Sequence, residues 1–332
     1  MSKPIAIYYE QQHWFKPLFA ELDRRGTSYV KIDATAQAYA IEDHPEERFS
    51  LVLNRMSPSA WNRGHADCIF YTLGFLDHLE RRSVRVINGL RAFRTELSKA
   101  AQLSLLDSLD LPYPKARVIH RASQAVEAAD GLRWPIVVKP NIGGSGAGVE
   151  RFDTPEALEA AASAGELALG LDSTALVQEF IPARGSHIVR VEVLNGKYLY
   201  AIKVHIPGDT FDLCPADICR TTSGVDLNRA ACPVDAPKTG LAVESYEPPP
   251  DVIADVERVM SHAGIELGGI EYIVDDRDGQ RLYYDINALS NFVADGINVI
   301  GFDPFVKLVD WLEAEAAEAY ERIHETALAE IR

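Results

Sequence analysis

Cysteine is scarce in this 332-residue chain, which has four: Cys68, Cys214, Cys219 and Cys232. None forms a C-x-x-C pair, so the chain does not read as a disulfide-stapled scaffold, and a reducing cytoplasm is the expected setting. Cys214, Cys219 and Cys232 share one loop-like stretch, but no histidine lies among them, which favours free thiols over a metal site. Basic residues are the minority charge, 33 Lys and Arg against 49 Asp and Glu, for a net charge of -16. Such a surface repels polyanions and argues against nucleic acid or an anionic membrane as partner, while leaving room for a local basic pocket. No apolar run is long enough to span a bilayer. Met1-Ser2-Lys3-Pro4 leads straight into a strand-like segment, so no secretory leader is expected. Internal repeats are missing, and so are two phosphate-binding signatures, the P-loop G-x-x-x-x-G-K-[ST] and the dinucleotide fingerprint G-x-G-x-x-G.

What is present centres on Trp134 to Gly148, W-P-I-V-V-K-P-N-I-G-G-S-G-A-G. Ile136-Val137-Val138 reads as a buried strand that ends in Lys139. Gly143, Gly144, Ser145, Gly146 and Gly148 come directly after it. Residues without a Cβ let several N–H groups turn toward one anion, most often a phosphate, and a lysine at the strand end adds positive charge beside them. A plain flexible hairpin loop would look the same in sequence.

The rest of the chain supplies an α/β frame. Ile5–Tyr9, Tyr29–Ile32, Phe49–Asn54 and Val84–Ile87 read as strands, with helices over Trp14–Arg25 and Asp67–Arg81, which implies a small parallel βαβ sheet. One helix is expected from Ala92 to about Ser108, ended by Leu111-Pro112-Tyr113-Pro114. Ala175–Ile181 is strand-like. Beyond Gly185 the pattern changes to paired strands, with Asn195-Gly196 as a hairpin turn between Ile188–Leu194 and Tyr198–Val204. Residues 207–250 are poorly periodic, as functional or mobile loops are. Gly269–Asp275 and Arg281–Ile286 form a second hairpin, and Asp303–Ile323 a closing helix.

Three clusters sharpen this. Val177-Gln178-Glu179-Phe180-Ile181 is either ordinary core or a hinge whose backbone and Glu179 hold an adenine and a ribose. Glu271 and the pair Asp285 and Asn287, two residues apart and so on one face, offer hard oxygen ligands suited to Mg²⁺, or else form an exposed acidic strand face. Arg190, Glu192 and Lys203 either line one face, where cations would counter charge on a transferred phosphoryl, or pair with each other across strands.

In this order the motifs resemble the ATP-grasp superfamily, and among its members the carboxylate–amine ligases of the ribosomal-protein-glutamate-ligase and glutathione-synthetase type. V-K-P-x-x-G-G-S-G-x-G and the acid followed by D-x-N are the most specific parts, and the resemblance covers nearly the whole chain. It implies an ATP-grasp fold with an N-terminal pre-ATP-grasp βα domain over 1–92, a lobe with a glycine-rich lid over 93–184 and a C-terminal lobe over 185–332. It implies that Lys99 and Lys139 contact phosphates, that the lid from Gly143 to Gly148 closes over them, and that Glu179 takes the ribose, with Gln178, Phe180 and Ile181 near the adenine. Arg190, with Lys203, would serve the transferred phosphoryl group, and Glu271, Asp285 and Asn287 would bind two Mg²⁺ ions. The implied reaction joins a carboxylate to an amine through an acyl phosphate, on small-molecule or peptide substrates. A kinase on the same fold and a non-catalytic ATP-binding protein are the alternatives. Arg55 is expected either to anchor a substrate carboxylate or simply to cap its loop, and Asn291 to shape the acceptor pocket. The sequence departs from the family at Ile188, where relatives usually carry an acid two residues before the arginine. A homodimer is the base-rate expectation.

Overall fold

A computed structural model describes residues 3–144, 146–206, 220–221 and 242–330. The first sheet is parallel, in the order β2-β1-β3-β4, from β1 (Ile5–Tyr9), β2 (Tyr29–Asp33), β3 (Leu51–Arg55) and β4 (Val86–Ile87). Helix Lys16–Arg25 packs Leu18, Phe19 and Leu22 against it and stops at Gly26, whose φ of 70° is the left-handed turn that glycine takes without strain.

The second sheet is antiparallel, in the order β5-β8-β6-β7, from β5 (Ala116–Ile119), β6 (Ile136–Pro140), β7 (Glu150–Phe152) and β8 (Ala175–Glu179). Alternation sorts its faces. Ile136 and Val138 join Leu158 of helix Pro155–Ala164 in a core, while Val137 and Lys139 look the other way. That helix starts as its sequence suggests, with Thr154 Oγ1 accepting from Ala157 N–H at 3.3 Å and proline in the first turn.

The third sheet has the order β11-β12-β10-β9-β13-β14, from β9 (His187–Leu194), β10 (Lys197–His205), β11 (Arg220–Thr221), β12 (Ala242–Tyr246), β13 (Leu267–Val274) and β14 (Arg281–Asn287). β9 and β10 turn at Asn195-Gly196, both with positive φ. Val189, Val191 and Val193 pack on helix Pro250–Ala263, which leaves Ile188, Arg190 and Glu192 on the opposite face. Gln102 closes the outer edge: its amide donates to Ile286 C=O at 2.9 Å and accepts from Ile286 N–H at 3.1 Å.

One expected helix is two. Leu90–Leu97 and Lys99–Ser108 are separated by Ser98, which takes an extended conformation (φ -125°, ψ 106°) and caps the second helix through Oγ to Ala101 N–H at 3.1 Å. A serine in an apolar helical pattern competes for the backbone and can cap as well as continue.

Asn88 joins the first sheet to the third. Buried and at φ 54°, it accepts from the N–H groups of Glu266 and Leu267 (2.9 and 3.2 Å) and donates to the carbonyls of Leu267 and Ala288 (2.5 and 2.7 Å). Among the described residues no helix is long and apolar enough to cross a membrane.

Candidate functional site

The second and third sheets face one another across a cleft of about 640 Å³, closed at one end by residues of the N-terminal sheet's loops. Lys139 at the end of β6 and Glu271, Asp285 and Asn287 on β13 and β14 all line it, as do Lys99, Arg190, Gln178, Glu179, Phe180, Ile181 and Asn291. Strand register explains the grouping on the third sheet. Arg190 of β9 and Asp285 of β14 both lie directly opposite Glu271 of β13, so the three side chains share a face.

Their charges interlock. Lys99 Nζ lies 2.5 Å from Asp285 Oδ1, and Asn287 Nδ2 donates to the other Asp285 oxygen at 2.9 Å. Arg190 donates to Glu192 Oε1 (2.6 Å), to Glu271 Oε1 (2.9 Å) and to Ser290 Oγ (3.0 Å). Burial works to raise the Asp285 carboxyl, but Lys99, helped by Lys139 and Asn287, reverses this and holds it below the usual range. Burial likewise opposes the Lys99 charge, and Asp285 restores it and lifts its pKa above the ordinary value. Glu271 goes up, because burial outweighs the attraction of Arg190.

Lys139 stands apart from these pairs. It is buried, and among the described residues no carboxylate lies within ion-pair distance of it. Burial first, and then the neighbouring Lys99, pull its pKa down to about 7. Asn141 fixes the two lysines side by side: it comes just after β6 and accepts from Ser98 Oγ (3.0 Å) and Ala100 N–H (2.9 Å) at the start of the Lys99 helix. A buried ammonium with no carboxylate at ion-pair distance, beside a second one and at the base of a glycine loop, is chemistry that an anion satisfies.

Two glycines of that loop have steric reasons. A Cβ on Gly144 would stand 2.8 Å from Ser59 Cβ, so the loop touches the 3₁₀ turn Pro58–Arg63 of the N-terminal lobe. Gly148 has φ +73° and stands against the Pro140 ring. Gly143, Gly144 and Gly146 line the cleft, and Gly148 does not. Ser145 falls outside the described residues, as do Cys214, Cys219 and Cys232. Cys68 is a buried free thiol.

At the far end, Glu179 is buried and accepts from Arg133 N–H (3.0 Å) and Nε (3.3 Å). Arg133 also reaches Asp275 and Asp278 of the β13–β14 turn, tying the two cleft walls together there. Gln178 keeps a buried amide oxygen without a partner.

Two expectations need correction. Lys203 does not share the Arg190 face. It sits opposite Val189 in the register and pairs with Glu244 at 3.1 Å, whereas Ile202 stands opposite Arg190. One step along a strand reverses the face. Arg55 does not line the cleft either; it is buried under Phe15 and donates to the backbone carbonyls of Ala288 and Ser290, which holds the loop after β14 in place.

Periodicity gave no sign of Tyr284. A β-bulge sets Glu271 opposite Asp285 and Tyr272 opposite Tyr283, so Tyr284 is the extra residue, and its hydroxyl donates to Glu271 Oε2 at 2.7 Å inside the cleft. Glu96, Ser59 and Trp14 also line this region without a sequence signal, whereas Ser290 belongs to the hairpin tail Ser290-Asn291-Phe292 expected to shape the acceptor pocket. Burial pushes the Glu96 carboxyl up to about 8.

Glu271, Asp285 and Asn287 offer two carboxylates and an amide on adjacent strands, a hard-oxygen set that fits Mg²⁺. Among the described residues no three His, Cys, Asp or Glu side chains form such a set, the third member here being an amide.

Residues 97–210 match the RimK-like ATP-grasp domain. A D-alanine–D-alanine ligase of Geobacter sulfurreducens is 30% identical over 124 residues, 37% of this chain and 37% of that protein. A probable alpha-L-glutamate ligase of Teredinibacter turnerae is 26% identical over 180 residues, 53% of this chain and 56% of its own length. The alignments thus span between about a third and just over half of these curated relatives. The solved structure of the ATP-grasp ligase PsnB with a minimal precursor superposes with a TM-score of 0.65 at 17% identity, covering 94% of this chain and 99% of that one. The chain therefore has the ATP-grasp fold.

Proposed function

We propose that this chain, an ATP-grasp fold carrying a RimK-like ATP-grasp domain, is an ATP-dependent carboxylate–amine ligase. One observation carries the reading: the glycine loop with Lys139 and the Glu271, Asp285 and Asn287 set line the same cleft from opposite walls, with Arg190 beside them. The cleft volume, about 640 Å³, is in the range of nucleotide and small-ligand sites. The named relatives, a D-alanine–D-alanine ligase and a probable alpha-L-glutamate ligase, are consistent with amide or peptide bond formation.

In this reading residues 1–92 are the pre-ATP-grasp lobe, 93–184 the nucleotide lobe with its lid, and 185–332 the lobe for metal and substrates. Lys99 and Lys139 hold the phosphates. Gly143, Gly144, Ser145, Gly146 and Gly148 form the lid over them. The unpartnered oxygen of Gln178 accepts from the adenine amino group, Phe180 and Ile181 border the ring, and Glu179 lies near the ribose. Glu271, Asp285 and Asn287 hold Mg²⁺, two ions in the full complex, which when bound neutralises the triphosphate. Arg190 is aimed at the transferred phosphoryl group and its acyl phosphate. Asn291 borders the substrate end.

The chemistry proceeds in two displacements. A substrate carboxylate oxygen attacks the γ-phosphorus and ADP leaves. An amine then attacks the acyl carbon, loses a proton, and inorganic phosphate departs as the amide forms. The protein's share is orientation and charge compensation. The substrates are small molecules or peptides bearing the acid and the amine.

The test is ADP release over a panel of acids and amines. Stoichiometric ADP, phosphate and amide that require both substrates are expected. A stable phosphorylated product formed without amine would make the protein a kinase, and no ADP from any pair would end the ligase reading.

A further inference from the structure

Glu192 is buried (1% exposed) beside the cleft, not in its wall. One of its oxygens accepts from Arg190 Nε at 2.6 Å and from Ser290 Oγ at 2.6 Å, while Oε2 has no partner. The neighbouring strand is shaped around it: Gly269 stands opposite Glu192 in the register, and a Cβ there would lie 2.9 Å from the carboxylate. Burying a second carboxylate behind Arg190 is costly, because each ion loses its water and one carboxylate oxygen is left unused. Arg190 already has Glu271 as counter-ion, so its need for one anion does not explain Glu192.

The explanation lies in the double duty of Glu271, which pairs with Arg190 here and belongs to the metal-ligand set. It cannot give its full charge to both cations. We propose that Glu192 is a positioning residue that keeps Arg190 neutralised and aimed into the cleft when Glu271 turns from the guanidinium to the metal. The free Oε2 is the acceptor that the guanidinium gains when Glu271 lets go, completing a charge-assisted pair with one carboxylate. Ser290, which accepts from Arg190 and donates to Glu192, holds the two in register through the exchange. Without Glu192, Arg190 leans harder on Glu271 and competes with Mg²⁺ for that carboxylate.

This inference rests on the ligase reading of the cleft, and its test separates the two. Mg²⁺ is titrated calorimetrically into wild type and Glu192→Gln, each saturated with ADP, and the Mg²⁺ dependence of ADP release is measured in parallel. Glu192→Gln keeps size and an acceptor but removes the charge. Its half-saturating Mg²⁺ is expected to rise about tenfold, and kcat to fall about 10–100-fold, as for other groups that orient metal ligands. KM for ATP at saturating Mg²⁺ stays within about threefold, since Glu192 does not touch the cleft. Ser290→Ala, the variant to use if Glu192→Gln does not fold, shifts the Mg²⁺ requirement the same way by about twofold to threefold. An unchanged Mg²⁺ requirement in the folded variants overturns the proposal whatever happens to kcat, and so does a wild type that binds no Mg²⁺. Mg²⁺ affinity that depends on Glu192, in a protein that releases ADP with no acid–amine pair, leaves the positioning role standing and removes the ligase reading.

Discussion

Lys139 holds its ammonium buried, where the attraction of Asp285 and Glu271 does not offset burial and the neighbouring Lys99, and its pKa falls to about 7 from the ordinary 10.5. An unfolded chain holds that proton up to the ordinary value. Between about pH 7 and 10.5 the unfolded state therefore binds more protons, and Lys139 makes ligand-free stability rise with pH through that window. Below it the cost is constant. Lys139→Met removes the cost, so the melting temperature of the ligand-free protein near pH 7 should rise by roughly 2–8 °C, while nucleotide affinity drops about 10–100-fold. A variant that melts lower and binds as before would contradict this. A bound triphosphate keeps the proton on Lys139, so binding above pH 7 takes one up and affinity weakens as pH rises. Calorimetry in buffers of different ionisation enthalpy reads the uptake directly. At this scale the sequence was informative where a residue type is chemically unusual in its place: Lys139 after a β-branched run, or Asp285 and Asn287 two apart. It misled for Lys203, whose side could be known only from the parity of the strand pairing, and for Arg55, whose partners are carbonyls more than 230 residues away in the chain.

The glycine loop is an element whose position is set by a contact with another lobe. Gly144 lies against Ser59 with no room for a methyl group. Gly144→Ala should push the loop off the Pro58–Arg63 turn and lower kcat/KM for ATP about tenfold, by misplacing the groups it carries. Gly144→Ala combined with Ser59→Gly should recover most of that loss, and a double-mutant cycle should show coupling of about 1 kcal/mol. Additive effects would mean that the contact is incidental. Most strands and helices were legible from period and caps, as with Thr154-Pro155 and Asn195-Gly196. The elements that were not legible have local causes. Ser98 breaks an otherwise continuous helical pattern because its hydroxyl caps the helix that starts at Lys99. β7 is only three residues long, and the bulge at Tyr284 shifts the alternation that a strand reading depends on.

For the molecule as a whole, the sheets hold together through few but saturated polar joints. Asn88 satisfies four backbone groups between the first and third sheets. Asn88→Ala takes the side-chain partner from all four, leaves Arg55 as the side-chain donor to Ala288 C=O, and keeps φ 54° without the local hydrogen bonding that lets asparagine hold it, so a loss of about 3 kcal/mol is expected in urea unfolding. Asn88→Gly should be the milder change by about 1 kcal/mol, because it relieves the backbone but not the hydrogen bonds. Equal losses would show that backbone strain plays no part. None of this was readable beforehand, since an asparagine before a glycine looks like any turn. The Gln102 amide on Ile286 has a further consequence for the assembled protein. A side chain occupies the rung that an open sheet offers to a stranger, so at Ile286 the outer edge of β14 is blunted against amyloid-like stacking and against pairing with an added strand.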